Sequence, residues 1–119
     1  MTDIKINQTK EFFENNIKKI KNEMITLKTD NRNDEAVFKR IEMNVYEIFF
    51  TVFNAALKVS ENDETKLKTF FLKKAEEIPS NWEASLKKAI EHNEADKAAI
   101  ENIKLDAIKQ IKENFNEIW

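Results

Sequence analysis

The chain contains no glycine in 119 residues and a single proline, Pro79. Glycine reaches positive φ at no steric cost and lets a backbone pass close to a phosphate, so its absence removes whole families of site. A Walker loop, a dinucleotide fingerprint and a nucleophile elbow cannot be drawn through this sequence. Two-residue hairpins also lean on glycine. The remaining composition suits long helices joined by short polar turns, and the chain reads as all-α.

At 14.1 kDa the expectation is one helical domain over residues 1–119, burying roughly two-thirds of its unfolded surface. The absence of cysteine fits a reducing compartment. No apolar leader precedes Thr2, Asp3 and Lys5, so a cytoplasmic location is expected. The most apolar run, Val45 to Leu57, is interrupted by Glu47, Thr51 and Asn54 and is far shorter than the ~20 residues that span a bilayer. Membrane association is therefore disfavoured.

Basic and acidic residues number 20 and 22, for a net charge of -2, and the signs alternate along the chain. The lysine clusters at Lys18, Lys19 and Lys21, at Lys73 and Lys74, and at Lys87 and Lys88 are interleaved with acids. Arg32 and Arg40 are the only arginines. With a pI near 5.6, this pattern argues against nucleic acid as a partner.

Three polar breaks divide the chain into arms of similar length: Asp30 to Asp34, Ser60 to Asp63, and Glu91 to Glu94. Each supplies an asparagine, at 31, 62 and 93, able to take the left-handed position after a helix, followed by acids suited to the next first turn. Connections this short favour antiparallel neighbours. The predicted architecture is an up-down-up-down four-helix bundle.

In the first arm Phe13, Ile17, Ile20, Met24 and Leu27 recur at helical spacing and predict its buried face. The fourth presents Ile100, Ile103, Ala107, Ile111, Phe115 and Ile118. The third carries Leu67, Phe70, Phe71, Ala75 and Ile78, then Pro79. A proline disfavours helix at the residue before it, and Ser80 with Glu83 has the form of a capping box, so the third arm is predicted to break near Pro79. On that geometry, Pro79→Ala would destabilise.

Candidate chemistry is sparse. His92, the only histidine, sits in a turn without the Glu-x-x-His or His-Glu-x-x-His spacing of a metal site. The Glu-x-x-Glu pairs at Glu11 and Glu14, Glu61 and Glu64, and Glu91 and Glu94 read as capping and solvation. The segment from Asp30 to Glu35 lacks the third ligand, the glycine and the closing glutamate of a calcium loop, and Arg32 there is suited to bridging its flanking acids. A polar line on the second arm, Arg40, Asn44, Glu47, Thr51, Asn54 and Lys58, reads as its water-facing side. No catalytic, metal or cofactor-binding residue is assigned, and no cofactor is expected.

The stretches from Asp30 to Glu35, from Asn44 to Phe49 and from Ile78 to Trp82 resemble small uncharacterised helical proteins of low-GC Gram-positive bacteria. That resemblance covers most of the chain. It implies a bacterial cytoplasmic origin and no particular activity, substrate or site.

The second arm carries more apolar material than a bundle helix requires. Phe38, Ile41, Val45, Ile48, Val52, Ala55 and Val59 form one seam, read as core. Met43, Tyr46, Phe50, Phe53 and Leu57 form a second. Together they cover roughly 240° of a helix that needs a stripe somewhat over 100° wide. The second seam is expected either to lie beneath the segment carrying Trp82 and Leu86 or to pair with another copy of the chain, and a homodimer centred on Tyr46 and Phe50 is the reading adopted. The functional expectation is a non-enzymatic interaction or structural module that binds itself or another helical protein. The alternative is a ligand- or metal-dependent enzyme with its site inside the bundle, for which Glu47 and His92 are the residues to test.

Overall fold

The computed structural model describes residues 3–119 and consists of four helices: α1 (Asp3–Thr29), α2 (Asn33–Ser60), α3 (Glu64–Glu91) and α4 (Ala95–Ile118). They run up, down, up and down as a four-helix bundle, and no strand occurs among the described residues.

The turns use the asparagines in place of glycine. Asn31, Asn62 and Asn93 adopt φ of 60°, 66° and 56°, the left-handed region in which a short polar side chain is the least costly substitute for no side chain. After α1, Asn31 N–H donates to Lys28 O at 3.1 Å and Arg32 N–H to Leu27 O at 2.8 Å. After α3, Asn93 N–H donates to Ile90 O at 3.2 Å and Glu94 N–H to Ala89 O at 2.8 Å. Both are Schellman closures. The turn between α2 and α3 differs: Glu61, at φ 48°, and Asn62 are left-handed in succession. Asp63 then caps α3 by accepting a hydrogen bond from Lys66 N–H at 3.1 Å.

The third helix is not broken. It is continuous from Glu64 to Glu91 with Pro79 inside it, which corrects the predicted break. Ser80 does not cap a new helix, because its hydroxyl donates back to Glu77 O at 2.6 Å. Pro79 is buried, and Trp82 beyond it lies edge-on to Phe49 with ring centroids 6.5 Å apart. Packing on both sides of the proline outweighs its local preference, which costs about 3 kcal/mol in a helix interior.

α2 is the central element. It packs against α1, α3 and α4, whereas the backbones of α1 and α3 stay apart among the described residues and these two helices meet through side chains such as Lys5 and Glu64. The bundle is thus compressed along one diagonal, which gives α2 three helical neighbours and accounts for its wide apolar arc. The core comprises Phe13 and Ile20 of α1, Val45, Tyr46, Phe49, Phe53 and Ala56 of α2, Leu67, Phe71 and Ala75 of α3, and Ala107, Ile108, Ile111 and Phe115 of α4. Rings run through it without interruption. Phe13 stacks on Phe50 at 5.3 Å, Phe53 meets Phe71 edge-on at 6.3 Å, and Phe71 stacks on Phe115 at 4.1 Å.

The extents are 45 × 35 × 20 Å and the radius of gyration is 15.8 Å, against about 13.5 Å for a compact chain of this length. The surplus accompanies an open end. Near the two Schellman turns, Ile25, Phe38 and Ile90 are exposed, and Ala36 and Ala89 are buried outside the common core. Each alanine lies close to a hairpin turn, where a methyl side chain lets two helices approach.

Candidate functional site

Of the five residues assigned to a dimer interface, two are interior and three are partly buried. Tyr46 and Phe53 are buried, and Met43, Phe50 and Leu57 pack against the core. What covers them is α1: Phe12 lies 5.9 Å from Tyr46, and Phe13 lies 5.3 Å from Phe50 and 6.3 Å from Phe53. Within the chain the cover is therefore α1 and not the Trp82 segment. The seam read as core is the more exposed of the two, with Phe38, Ile48 and Val59 at 36%, 40% and 54%.

Phe49, fully buried at the centre of the α2 face, belongs to neither seam; the adjacent Phe50 masked it. Burial, with the nearby Glu42 charge second, pushes the Tyr46 phenol up to about 12. Tyr46 is therefore a protonated core residue at neutral pH.

The two residues named for the enzymatic alternative are exposed. Glu47 lies on the solvent face of α2 with Arg40, Asn44 and Thr51, and His92 lies in the turn after α3. No group of three or more histidine, aspartate or glutamate side chains is placed to hold a metal ion among the described residues. Of the paired glutamates, Glu64 is the one that forms an ion pair between helices among the described residues, accepting from Lys5 Nζ at 2.7 Å. That hydrogen bond holds the Glu64 carboxyl below its ordinary 4.5. Arg32 pairs with Glu35, as its position in the turn suggested.

A cavity of about 880 Å³ opens along the loop end of the α1–α2 hairpin. Its apolar lining comes from Leu27 and Phe38, and Asn15, Lys18, Lys19, Asn22, Glu23, Thr26, Glu35 and Lys39 complete it. Lys39 Nζ reaches Glu23 at 2.8 Å and Glu42 at 3.6 Å. The hydrogen bond to Glu23, the largest influence, raises the Lys39 ammonium above its ordinary 10.5. With Glu23 joined to Lys39 and Glu35 to Arg32, the charges the cavity has left to offer among the described residues are those of Lys18 and Lys19. Sequence reasoning singled out those lysines as a cluster but could not place them beside Phe38, because the α1–α2 register is tertiary information.

The opposite end of the bundle is closed in its interior, although Ile4 and Val59 are exposed on its surface at 70% and 54%. Trp119 Nε1–H donates to the buried Thr9 Oγ1 at 2.9 Å, and Thr9 Oγ1–H donates to Lys5 O at 2.8 Å. Lys68 Nζ donates to Trp119 O at 3.2 Å, and Lys5 Nζ lies 5.6 Å from the Trp119 ring centroid. No helix among the described residues is long and apolar enough to cross a membrane. Comparison with protein-family models, curated proteins and solved structures gives no match.

Proposed function

We propose that the protein is a non-enzymatic, cytoplasmic interaction module whose contact site is the cavity at the open end of the α1–α2 hairpin, and that its partner is an acidic amphipathic helix. The observation that carries this reading is the conjunction in that cavity of Phe38, 36% exposed, with Lys18 and Lys19, whose charges are not taken up by its internal ion pairs. A helix seated in a groove is recognised by apolar anchors at helical spacing, with flanking charges setting orientation. The volume of about 880 Å³ lies in the range of pockets that enclose a ligand, roughly 300–1,000 Å³. Lysine stems add apolar surface to such a groove while their ammonium groups stay at its rim.

The test is a titration of isotope-labelled protein with an acidic amphipathic helical peptide. Amide shifts are expected to cluster at residues 15–27 and 35–39. A peptide that leaves those resonances unmoved, or perturbs the Trp119 end instead, overturns the assignment.

A further inference from the structure

We infer that the α1–α2 cavity is one half of a longer docking trough along α1, and that its occupant is a partner's amphipathic helix, acidic in one half and basic in the other. This rests on the reading of the cavity as a helix-docking site. A second hollow, of about 720 Å³, lies between α1 and the end of α4, and Asn15 lines both. Gln8, Glu11, Asn15, Lys18, Asn22 and Thr26 line one hollow or the other at intervals of three or four residues, which places them on a single face of α1. All six are exposed. The face is open because α1 touches α4 far less than it touches α2, and the hydrogen bond that ties α1 to the end of α4, from Trp119 to Thr9, lies at the closed end.

Length and charge identify the occupant. From Ile4 to Thr26 the trough runs about 33 Å at 1.5 Å per residue, the span of a helix of about 20 residues. Apolar anchors lie along it, with Ile4, Phe12 and Ile118 in the second hollow and Leu27 and Phe38 in the first. With Lys5 joined to Glu64, the charges that the second hollow has left to offer among the described residues are those of Glu11 and Glu117. The trough is therefore positive at Lys18 and Lys19 and negative at Glu11 and Glu117. Glu11 and Lys18 are about 10 Å apart along the helix axis, slightly more than the screening length of about 8 Å at physiological salt, so each pole acts on the partner charge above it. A uniformly acidic helix is attracted over one half and repelled over the other. A helix with acids over Lys18 and Lys19 and bases over Glu11 and Glu117 is matched at both, which also fixes its direction.

The test uses the full chain and two helical peptides of about 20 residues with the same apolar stripe. One carries glutamates in one half and lysines in the other; the second carries glutamates throughout. On isotope-labelled protein the mixed peptide is expected to shift amides at residues 4–12 and 114–118 as well as those of the cavity. It is expected to bind about fivefold tighter than the acidic peptide, the scale of a few exposed ion pairs. A spin label on its glutamate end should broaden resonances around Asn22 and spare those around Ile4. The Glu11→Lys, Glu117→Lys double variant, at exposed positions, should reverse the ranking of the two peptides, with circular dichroism checking that it folds. Should it lose helicity, the Glu11→Gln, Glu117→Gln pair takes its place and should make the two affinities equal. Equal affinities for wild type, the opposite direction of broadening, or shifts confined to the cavity would overturn the trough and leave the cavity reading in place. No shift with either peptide overturns both. A wild type that sediments as a dimer with residues 4–26 occluded would put a second copy in the trough and overturn the partner helix.

Discussion

The two ends of the bundle are built from the same kind of amphipathic helix and differ in how fully their aromatic residues are buried. Both expose some aliphatic side chains, such as Ile4 and Val59 at one and Ile25 and Ile90 at the other. At the end where the α2–α3 turn and Trp119 lie, aromatic residues from all four helices meet, and Phe13, Phe53, Phe71 and Phe115 are each 2% exposed or less. At the end with the two Schellman turns, Phe38, Ile25 and Ile90 are exposed, and two small buried residues, Ala36 and Ala89, lie close to the turns. The difference teaches that helix amphipathicity is satisfied by whichever neighbours are within reach. Where four helices converge the apolar stripes close on one another. Where the hairpins meet less fully the same stripes are left for another molecule.

Four measurements would sharpen or break that contrast. The largest effect is expected at the closed end. Phe53 touches rings of α1, α3 and Trp119, so Phe53→Ala should cost about 3–5 kcal/mol in denaturant unfolding. A cost below about 1 kcal/mol would show that the second seam of α2 is not core.

Between the ends, Pro79 is expected to act in the direction opposite to that predicted from a broken helix. Within the continuous α3, Pro79→Ala restores the N–H that the helix lacks at Ala75 O, against the loss of a buried ring. A net stabilisation of about 1 kcal/mol is expected, read as a higher melting temperature. A lower one would restore the view that packing depends on the proline's own geometry.

The same residue type at the open end should matter far less. Phe38→Ala is expected to change stability by less than about 1 kcal/mol, although the peptide-induced shifts should disappear. A loss as large as that of Phe53→Ala would erase the distinction between the ends.

The smallest effect concerns the pair that pins α1 to α3 at the closed end. The folded Glu64 carboxyl titrates below its ordinary 4.5, held there by the Lys5 hydrogen bond. Its contribution is therefore present above the unfolded value and is lost as pH falls through the lower folded one. Glu64→Gln should unfold slightly earlier than wild type at neutral pH, and the two should converge as pH falls through the lowered folded value of the Glu64 carboxyl. Curves that stay separated in acid would assign the difference to something other than this charge.

Much of the fold was legible in the residues themselves. The asparagines at 31, 62 and 93 take the left-handed position that the sequence predicts for them, because a glycine-free chain must turn with the next best residue. The buried faces of α1 and α4 followed from their spacing. For α2 the width of the apolar arc was a true signal, but its phase was not recoverable. Two seams of similar hydrophobicity compete on one helix, and only the arrangement of α1, α3 and α4 around it selects Phe49 and Phe53 over Ile48 and Val59. The open cavity was legible only in parts, as a lysine cluster in one arm and Phe38 in another.

The sequence by itself determined that this protein is helical, where its turns fall and which residues close them, since these depend on interactions within a few positions of the chain. Tertiary structure alone decided that α3 continues through Pro79, that α2 sits at the centre with α1 covering its second seam, and that Phe38 and Ile90 remain uncovered. Those outcomes depend on which helix lies beside which, and at that scale the burial of large rings between elements outweighs the few kcal/mol of local preference at any single residue.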